Sequence, residues 1–437
     1  MIDRDRRTTK RRRFRVAVEA SWIGLALVTT AAGFVFVIAS VLIPAPYVRD
    51  FGQEWTSGRD FLAGYPVYRS LAESLPFHFG SSSSAYLSYN PHPPTSVLLS
   101  LGFSLLEYRA AYLAWSLVTM TCLVATLCLL VAKTRPRLTA GQVAGLLVLT
   151  ATSSALRHEM VQGQWNLPLL LLIALAWVAD RRKAVAASGA LIGVAAAIKL
   201  FPAFLVLYHL GARRWRGVFA AAVAFLACNT ASWLVLGGNT YADYVTHAGP
   251  AALGFRRSAL NASVLGFWSR LCEGVADRVA PHLPWSPVTT LLTAVSILAI
   301  VATAIRAVSG AERPRDRDLA FAACTIGMLL AAPLAWNHYS LTLIPALVIV
   351  WQSCGHNRQA KAATLAAILL LLTIDPVWLQ RLGRPESYGD AAWTWPHGMR
   401  IATSIPCCTL LGMYVAILKR LQWSRRRATL QVGSASE

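Results

Sequence analysis

Apolar residues in this chain do not alternate with polar ones at the period of a half-buried strand or a surface helix. They gather in long runs, near Trp22–Ile43, Ala110–Ala132, Thr139–Leu156, Asn166–Ala179, Gly217–Gly237, Val288–Val308, Leu319–Ala332, Leu341–Ser353, Ala362–Trp378 and Met399–Leu418. A membrane helix needs about 20 residues to cross roughly 30 Å of hydrocarbon, so the shorter runs borrow flanking residues or sit in a thinned bilayer. The segment Ala184–Leu210 is bounded by basic clusters and interrupted by Gly189, Gly193, Lys199 and Pro202. It predicts two short helices, one out and one back, turning near Lys199 and Pro202. The expectation is an all-α polytopic membrane bundle of about twelve crossings, with both termini on one side.

Composition agrees with the pattern. Of the 437 residues 56% are hydrophobic and only 14% charged, with mean hydropathy +0.49. A soluble domain carries about 25% charged residues, which excludes an ordinary globular enzyme. A net charge of +21 suggests nucleic acid in a soluble protein, but the positions of the charges point to a membrane. The N-terminal tail holds Arg4, Arg6, Arg7, Lys10, Arg11, Arg12, Arg13 and Arg15. Further clusters are KTRPR at 133–137, DRRK at 180–183, RRWR at 213–216, RPRDR at 313–317, RQAK at 358–361 and KRLQWSRRR at 419–427. With Arg306 they make 28 of the 41 Lys and Arg, and the threading puts all of them on one face. By the positive-inside rule that face is cytoplasmic, and the charge excess is orientation signal plus attraction to anionic lipid headgroups. Membrane lipids are therefore expected partners and nucleic acid is not.

The first apolar run, about 22 residues behind a long basic tail, does not read as a removable leader. The eight cysteines fall mostly in predicted helices, with only Cys272 in an outer loop, and neither a disulfide framework nor a metal-ligand spacing is visible. No repeat, heptad or nucleotide-binding glycine motif stands out, the Ser81–Ser84 run reads as a loop tip, and no metal or cofactor is expected.

With orientation fixed, Asp50, Glu54, Asp60, Tyr68, Tyr89, His92, Glu159, Gln162, Gln164, Asn166, Asp243, Asn261, Trp336, Asn337 and His338 all fall at the outer side. Chemistry is expected there. The first outer loop runs from Pro44 to Arg109, far beyond the about 15 residues at which loops become functional or carry structure of their own. It contains a re-entrant or amphipathic stretch near Pro93–Leu106, and Asp60 lies 17 residues past the first helix. Asp60 suits a general base, though composition alone favours a solvated loop carboxylate or helix cap. Lys199, bounded by apolar residues, costs about 2.5–3.5 kcal/mol at the bilayer centre, so it meets a phosphate or snorkels to headgroups. His338 either donates to a phosphate and relays a proton or sits in an aromatic belt. Gln164 and Asn166 hold sugar hydroxyls, or cap the helix that follows and bond across helices. Arg256 and Arg257 break the positive-inside pattern and bind an anion or simply lipid. Outer tryptophans, among them Trp55, Trp165, Trp268, Trp285, Trp336, Trp378, Trp393 and Trp395, suit an interfacial girdle. The triplet Asn261-Ala262-Ser263 has the form of a glycosylation acceptor but is expected by chance.

The order of these strings resembles glycosyltransferase family 87, which includes polyprenol-phosphate-mannose-dependent mannosyltransferases. The strings are Asp60-Phe61 with Gly64 and Tyr68, and Tyr89-Asn90-Pro91-His92-Pro93-Pro94. Gly163-Gln164-Trp165-Asn166 follows, then Gly189 and Gly193 with Ile198-Lys199-Leu200-Phe201-Pro202, Asn261-Ala262-Ser263, and Trp336-Asn337-His338-Tyr339. The resemblance covers roughly residues 55–345. Where the family often has an aromatic-Thr/Ser-Tyr-Pro-Pro run, this chain carries Asn90-Pro91-His92 instead.

The resemblance implies the GT-C fold, a helix bundle whose first outer loop contains juxtamembrane helices. It divides the chain into a basic tail at 1–21, a catalytic region at 22–353, further membrane helices at 354–418 and a second basic tail at 419–437. An Asp in the outer loop is the base of such enzymes, which maps to Asp60, with His338 as its catalytic partner. Lys199, Arg256 and Arg257 are expected at the donor phosphate. Tyr68, Tyr89, His92, Gln164, Asn166, Asn261, Trp336 and Asn337 are expected around sugar and acceptor. The implied reaction is inverting transfer of mannose from a polyprenyl-phosphate donor to a glycolipid or glycan acceptor. It takes place on the outer face of the plasma membrane, with both termini cytoplasmic. A lipid-linked sugar transporter or flippase is the competing class, and a structural membrane scaffold a third.

Overall fold

The computed structural model describes residues 2–43, 49–80, 89–275, 285–375 and 397–433, and among these every regular element is helical. The Ser81–Ser84 run and the girdle candidates Trp378, Trp393 and Trp395 lie outside them. The chain opens with the long α1 (Ile2–Leu42), followed by three short helices, α2 (Phe51–Leu62), α3 (Leu71–Phe79) and α4 (Pro94–Ser100). A 3-10 turn extends α4 to Leu105. The body follows: α5 (Tyr108–Lys133), α6 (Ala140–Ala151), α7 (Ser154–Gln162), α8 (Asn166–Arg181), α9 (Val185–Ile198), α10 (Val206–Gly211) and α11 (Trp215–Leu236). Short α12 (Gly238–Asp243), α13 (Gly249–Leu253) and α14 (Val264–Glu273) lead to α15 (Pro287–Ser309), α16 (Pro314–Ala331), α17 (Ile344–Ser353), α18 (Arg358–Leu372), α19 (His397–Ala402) and α20 (Ile405–Gly433).

Among the described residues four helices are long and apolar enough to cross a membrane: Ala17–Leu42 within α1, then α5, α11 and α15. Counting α7 and α8 as one span bent by 118° gives a fifth. These long helices are peripheral. Leu117, Phe219, Leu234 and Leu298 are each more than two-thirds exposed, and a helix that is apolar all round and yet uncovered has lipid as its natural solvent. The centre is filled instead by α16, whose residues from Leu319 to Leu330 are all buried, together with α17 and α8.

The bundle has two chemically distinct ends. At one, the basic segments meet: Arg214 and Tyr208 on Asp180, Arg181 and Trp177 on Asp318, Arg315 and Arg420 on Ser353, Gln352 on Pro136, and Arg425 on the last turn of α15. The helices that leave this end carry their other termini to the short helices α2–α4 and to a polar cluster. The break of α6 from α7 at Thr152, the α7–α8 bend and the break after α9 at Lys199 all serve that second end.

Helices α9 and α11 meet at backbone distance. A Cβ on Gly189 would lie 2.0 Å from the Gly217 carbonyl oxygen, and one on Gly193 would lie 2.2 Å from that of Ala221. Small residues one turn apart let α9 and α11 pack without intervening side chains. Gly193→Leu is accordingly expected to destabilise the protein by about 1–3 kcal/mol, whereas Gly24→Leu, in open space on α1, is near neutral. Thermal unfolding of both variants in detergent micelles checks the contrast.

Candidate active site

The polar cluster is built on the first two turns of α2. Arg49 precedes it and donates to the carbonyls of Ser40, Val41 and Ile43, closing the C-terminus of α1. Its guanidinium also lies 4.3 Å from the centre of the Tyr112 ring. That anchor fixes the start of α2, and Asp50 and Glu54, one turn apart, fall on one face of it. Glu54 is buried and pairs with His92. His92 is held in turn: its backbone N–H donates to the Asn90 side chain, and the Tyr68 hydroxyl donates to its carbonyl at 2.5 Å. The Tyr89–Pro94 string is thus folded as a turn that presents an imidazole to a carboxylate.

The bend between α7 and α8 supplies the next layer. Gly163 ends α7 in the left-handed region at φ +67°, and its carbonyl accepts from the Trp115 indole at 2.8 Å. Glu159 closes the start of α8, accepting from the backbone of Asn166 and Leu167 and from the Asn166 amide at 2.7–3.2 Å. A carboxylate there satisfies otherwise orphaned N–H groups and the helix dipole. Between the two, Gln164 points back. Its amide nitrogen donates to Asp50 at 2.7 Å and its carbonyl accepts from the Lys199 ammonium at 2.8 Å.

Lys199 follows the last residue of α9 and is only 4% exposed. Besides Gln164 it meets the Tyr339 hydroxyl at 3.4 Å and lies 4.5 Å from that ring's centre. A carboxylate and an ammonium are therefore held one amide apart. Burial raises the pKa of the half-buried Asp50 above its ordinary value, against the lowering effects of the Gln164 bond, His92 and Lys199. Burial likewise holds His338 neutral, well below the ordinary histidine range, with Lys199, His158 and His92 acting in the same direction. Among the described residues, His338 Nε2 and Asn166 Oδ1 are buried polar atoms with no hydrogen-bond partner. Both belong to strings that adjoin this cluster, and both have bonding capacity left for a ligand.

The structure distributes the remaining sequence candidates differently. Asp60 is 1% exposed and is enclosed by its own segment: Ser74 donates to one oxygen, while His78 meets the other at 2.8 Å and Arg69 at 3.9 Å. Ten residues on from Asp50, it is turned by about 80° from the Asp50 face. Arg256 pairs with Glu273 at 3.2 Å and lies over Trp285, and Arg257 donates to the carbonyls of Glu273 and Gly274. Both hold the end of α14. Asn261 is a clamp, donating to the carbonyls of Arg256 and Pro333 and accepting from the backbone of Ser263 and Ala335. Asn337 donates to Ser154, Trp336 packs on Phe255, and Tyr89 packs on His247. Sequence reasoning gave no individual role to Asp50, Glu54, Glu159 or Tyr339. The available signal was the i, i+4 spacing of Asp50 and Glu54 at the start of the loop.

Comparison with known proteins gives this arrangement a context. The profile of glycosyltransferase family 87 matches residues 90–335. A polyprenol-phosphate-mannose-dependent alpha-(1-2)-phosphatidylinositol pentamannoside mannosyltransferase of Mycolicibacterium smegmatis is 31% identical over 242 residues, 53% of this chain. The match spans only 55% of that relative's length. The protein of the same description from Mycobacterium tuberculosis is 26% identical over 68% of this chain and 66% of its own. A second M. smegmatis protein, a polyprenol-phosphate-mannose-dependent alpha-(1-2)-phosphatidylinositol mannoside mannosyltransferase, is 25% identical over 84% of this chain and 83% of its own.

The bend that delivers Gln164 depends on Gly163. A Cβ there would lie 2.8 Å from Cβ of Phe51 and 3.2 Å from Tyr112, at a φ that L side chains rarely adopt. Gly163→Ala is expected to cost about 1–3 kcal/mol and to displace α2 from Gln164. A lowered melting temperature together with weakened donor binding checks this.

Proposed function

The chain belongs to glycosyltransferase family 87, and from that premise we propose that it transfers mannose from a polyprenyl-phosphate donor to a glycolipid acceptor of the phosphatidylinositol mannoside class. The observation that carries this reading is the Asp50–Gln164–Lys199 chain: a carboxylate and an ammonium bonded to opposite ends of a single amide. Lys199 is the cation for the donor phosphate, with Tyr339 behind it and the open Nε2 of neutral His338 as a further hydrogen-bonding group. Asp50 takes the proton from an acceptor hydroxyl. That oxygen attacks the anomeric carbon, the bond from this carbon to the phosphate oxygen breaks, and polyprenyl phosphate leaves with the electron pair. A single displacement inverts the centre, from a β-linked donor to an α-linked product.

The base is Asp50 in this reading, because Asp60, to which the sequence resemblance pointed, already has both oxygens engaged by Ser74, His78 and Arg69. Glu54 and His92 flank the base and fix its field. General-base help of this kind contributes about 10²–10⁴ in rate, and a fixed cation at the departing phosphate supplies electrostatic stabilisation of comparable order. Gln164 is the element that prevents collapse of acid onto base. It keeps Asp50 and Lys199 in hydrogen bonds yet apart, so that substrate can enter between their charges.

The membrane placement belongs to the same proposal. About twelve segments cross the bilayer, the basic end of the bundle is cytoplasmic by the positive-inside rule, and the polar cluster opens outward. Nucleotide sugars are cytoplasmic, so an outward site uses a sugar carried across on lipid phosphate. The family membership and the acid–amide–lysine chain support transfer over mere transport of that lipid, which needs no base.

Asp50→Asn is expected to lower kcat by about 10²–10⁴, while Asp60→Asn lowers it by less than about tenfold. Membranes supplied with radiolabelled polyprenyl-phosphate-mannose and a native lipid extract measure both, and the reverse ranking would return the base to Asp60. Burial raises the Asp50 pKa, and the base acts only when ionised. The acid limb of the kcat/KM profile is therefore expected above the ordinary carboxylate range, with activity falling as pH drops through it.

A further inference from the structure

On the other side of α2 lies an open cavity of about 650 Å³, lined by Trp55, Arg59, Phe77, His78, Glu107 and Tyr108 among others. None of these residues belongs to the Asp50–Lys199 chain. We propose that this cavity binds the distal sugars of the acceptor glycan, and that Asp60 is a positioning residue that holds His78 in its wall. The inference rests on the transfer reaction proposed above and adds to it the place where the acceptor is recognised.

The lining selects the ligand. Trp55, Phe77 and Tyr108 supply ring surface, the part that a sugar's C–H face packs against. Interleaved with them are Arg59, His78 and Glu107, which match hydroxyls. A polyprenyl or acyl chain in the same space would strip water from these three groups and return no hydrogen bonds. Arg59 is arranged for such a ligand: its guanidinium lies 5.0 Å from the centre of the Trp55 ring, one nitrogen donates to the Leu106 carbonyl at 3.0 Å, and its buried Nε has no hydrogen-bond partner among the described residues.

His78 is fixed from behind. Its Nε2 meets the Asp60 carboxylate at 2.8 Å, and its ring packs edge-on to Trp55 and Phe77 at 5.9 and 4.9 Å. With the Nε2 proton given to Asp60, Nδ1 is left as an acceptor for a sugar hydroxyl. Asp60 is anchored by Ser74 and Arg69, so the imidazole has one orientation. The carboxylate most conspicuous in the sequence thus serves recognition and not proton transfer. The same helix, about 10–12 Å across with its side chains, carries Asp50 on one face and Trp55 and Arg59 on the cavity side. A glycan whose reacting hydroxyl lies at Asp50 reaches the cavity by passing around that one helix.

The test uses the full chain in nanodiscs, with linear α-linked mannotetraose as the probe. Binding is read by tryptophan fluorescence and by saturation-transfer NMR, independently of turnover. Wild type is expected to bind the tetraose, and Phe77→Ala and His78→Gln to weaken it by about tenfold. In transfer assays the same variants and Asp60→Asn raise KM for a long mannoside acceptor by a similar factor, while KM for the lipid donor holds. Purely structural damage would move both constants. Phe77 and Glu107 are exposed at the cavity rim, so Glu107→Gln replaces any variant that fails to fold. Wild type that transfers mannose yet ignores the tetraose, variants with unchanged acceptor KM, or polyprenyl phosphate displacing the tetraose would each overturn the proposal. Tetraose binding without any mannose transfer would leave the cavity standing and remove the reaction proposed for Asp50.

Discussion

The amide of Gln164 is the constraint on which the rest of this end of the molecule depends. Its two ends are chemically opposite, a donor toward Asp50 and an acceptor toward Lys199. An isolated ammonium in a space this closed is expensive, because desolvation is repaid only by well-placed partners. A direct Asp50–Lys199 pair would leave no group between the two charges. The inserted amide satisfies both groups and holds them apart. Every nearby element works to put it there: Gly163 makes the bend, Trp115 fixes the Gly163 carbonyl, Glu159 starts the next helix and Arg49 locks the first turn of α2.

Placement of the charges divides the bundle between two tasks. At the basic end Asp180 and Asp318 are matched by arginine together with phenol or indole donors, and Asp316 by the Ser424 hydroxyl. At the other end buried polar capacity is left open at His338 and Asn166. The first pattern fits a fixed scaffold and the second a surface that a polar ligand completes. Peripheral helices with exposed Phe219, Leu234 and Leu298 join these ends through apolar surface suited to lipid.

Much of the architecture was legible because a membrane imposes crude rules. Continuous apolar runs, interrupted at Lys199 and Pro202, and clustered arginines are one-dimensional signals, and they carried the helical class, the grouping of basic segments and the family resemblance. Gln164, Lys199, Tyr68, His92 and His338 were recognisable as polar residues at breaks between apolar runs. Arg256, Arg257 and Asn261 satisfied the same criterion and turned out to secure α14 and its loop. Position along the chain does not distinguish a polar group facing a ligand from one facing a carbonyl.

Asp50 and Asp60, before and within α2, mark the boundary most sharply. The sequence by itself determined that acidic residues stand at 50, 54 and 60 beyond the first apolar helix. Tertiary structure alone decided that Asp50 faces Gln164 and Lys199, 114 and 149 residues away, and that Asp60 faces Ser74 and His78. The physical reason is that hydropathy and charge are set by composition within a window, whereas a hydrogen-bond partner is set by how far a helix has turned and which distant segment packs against that face.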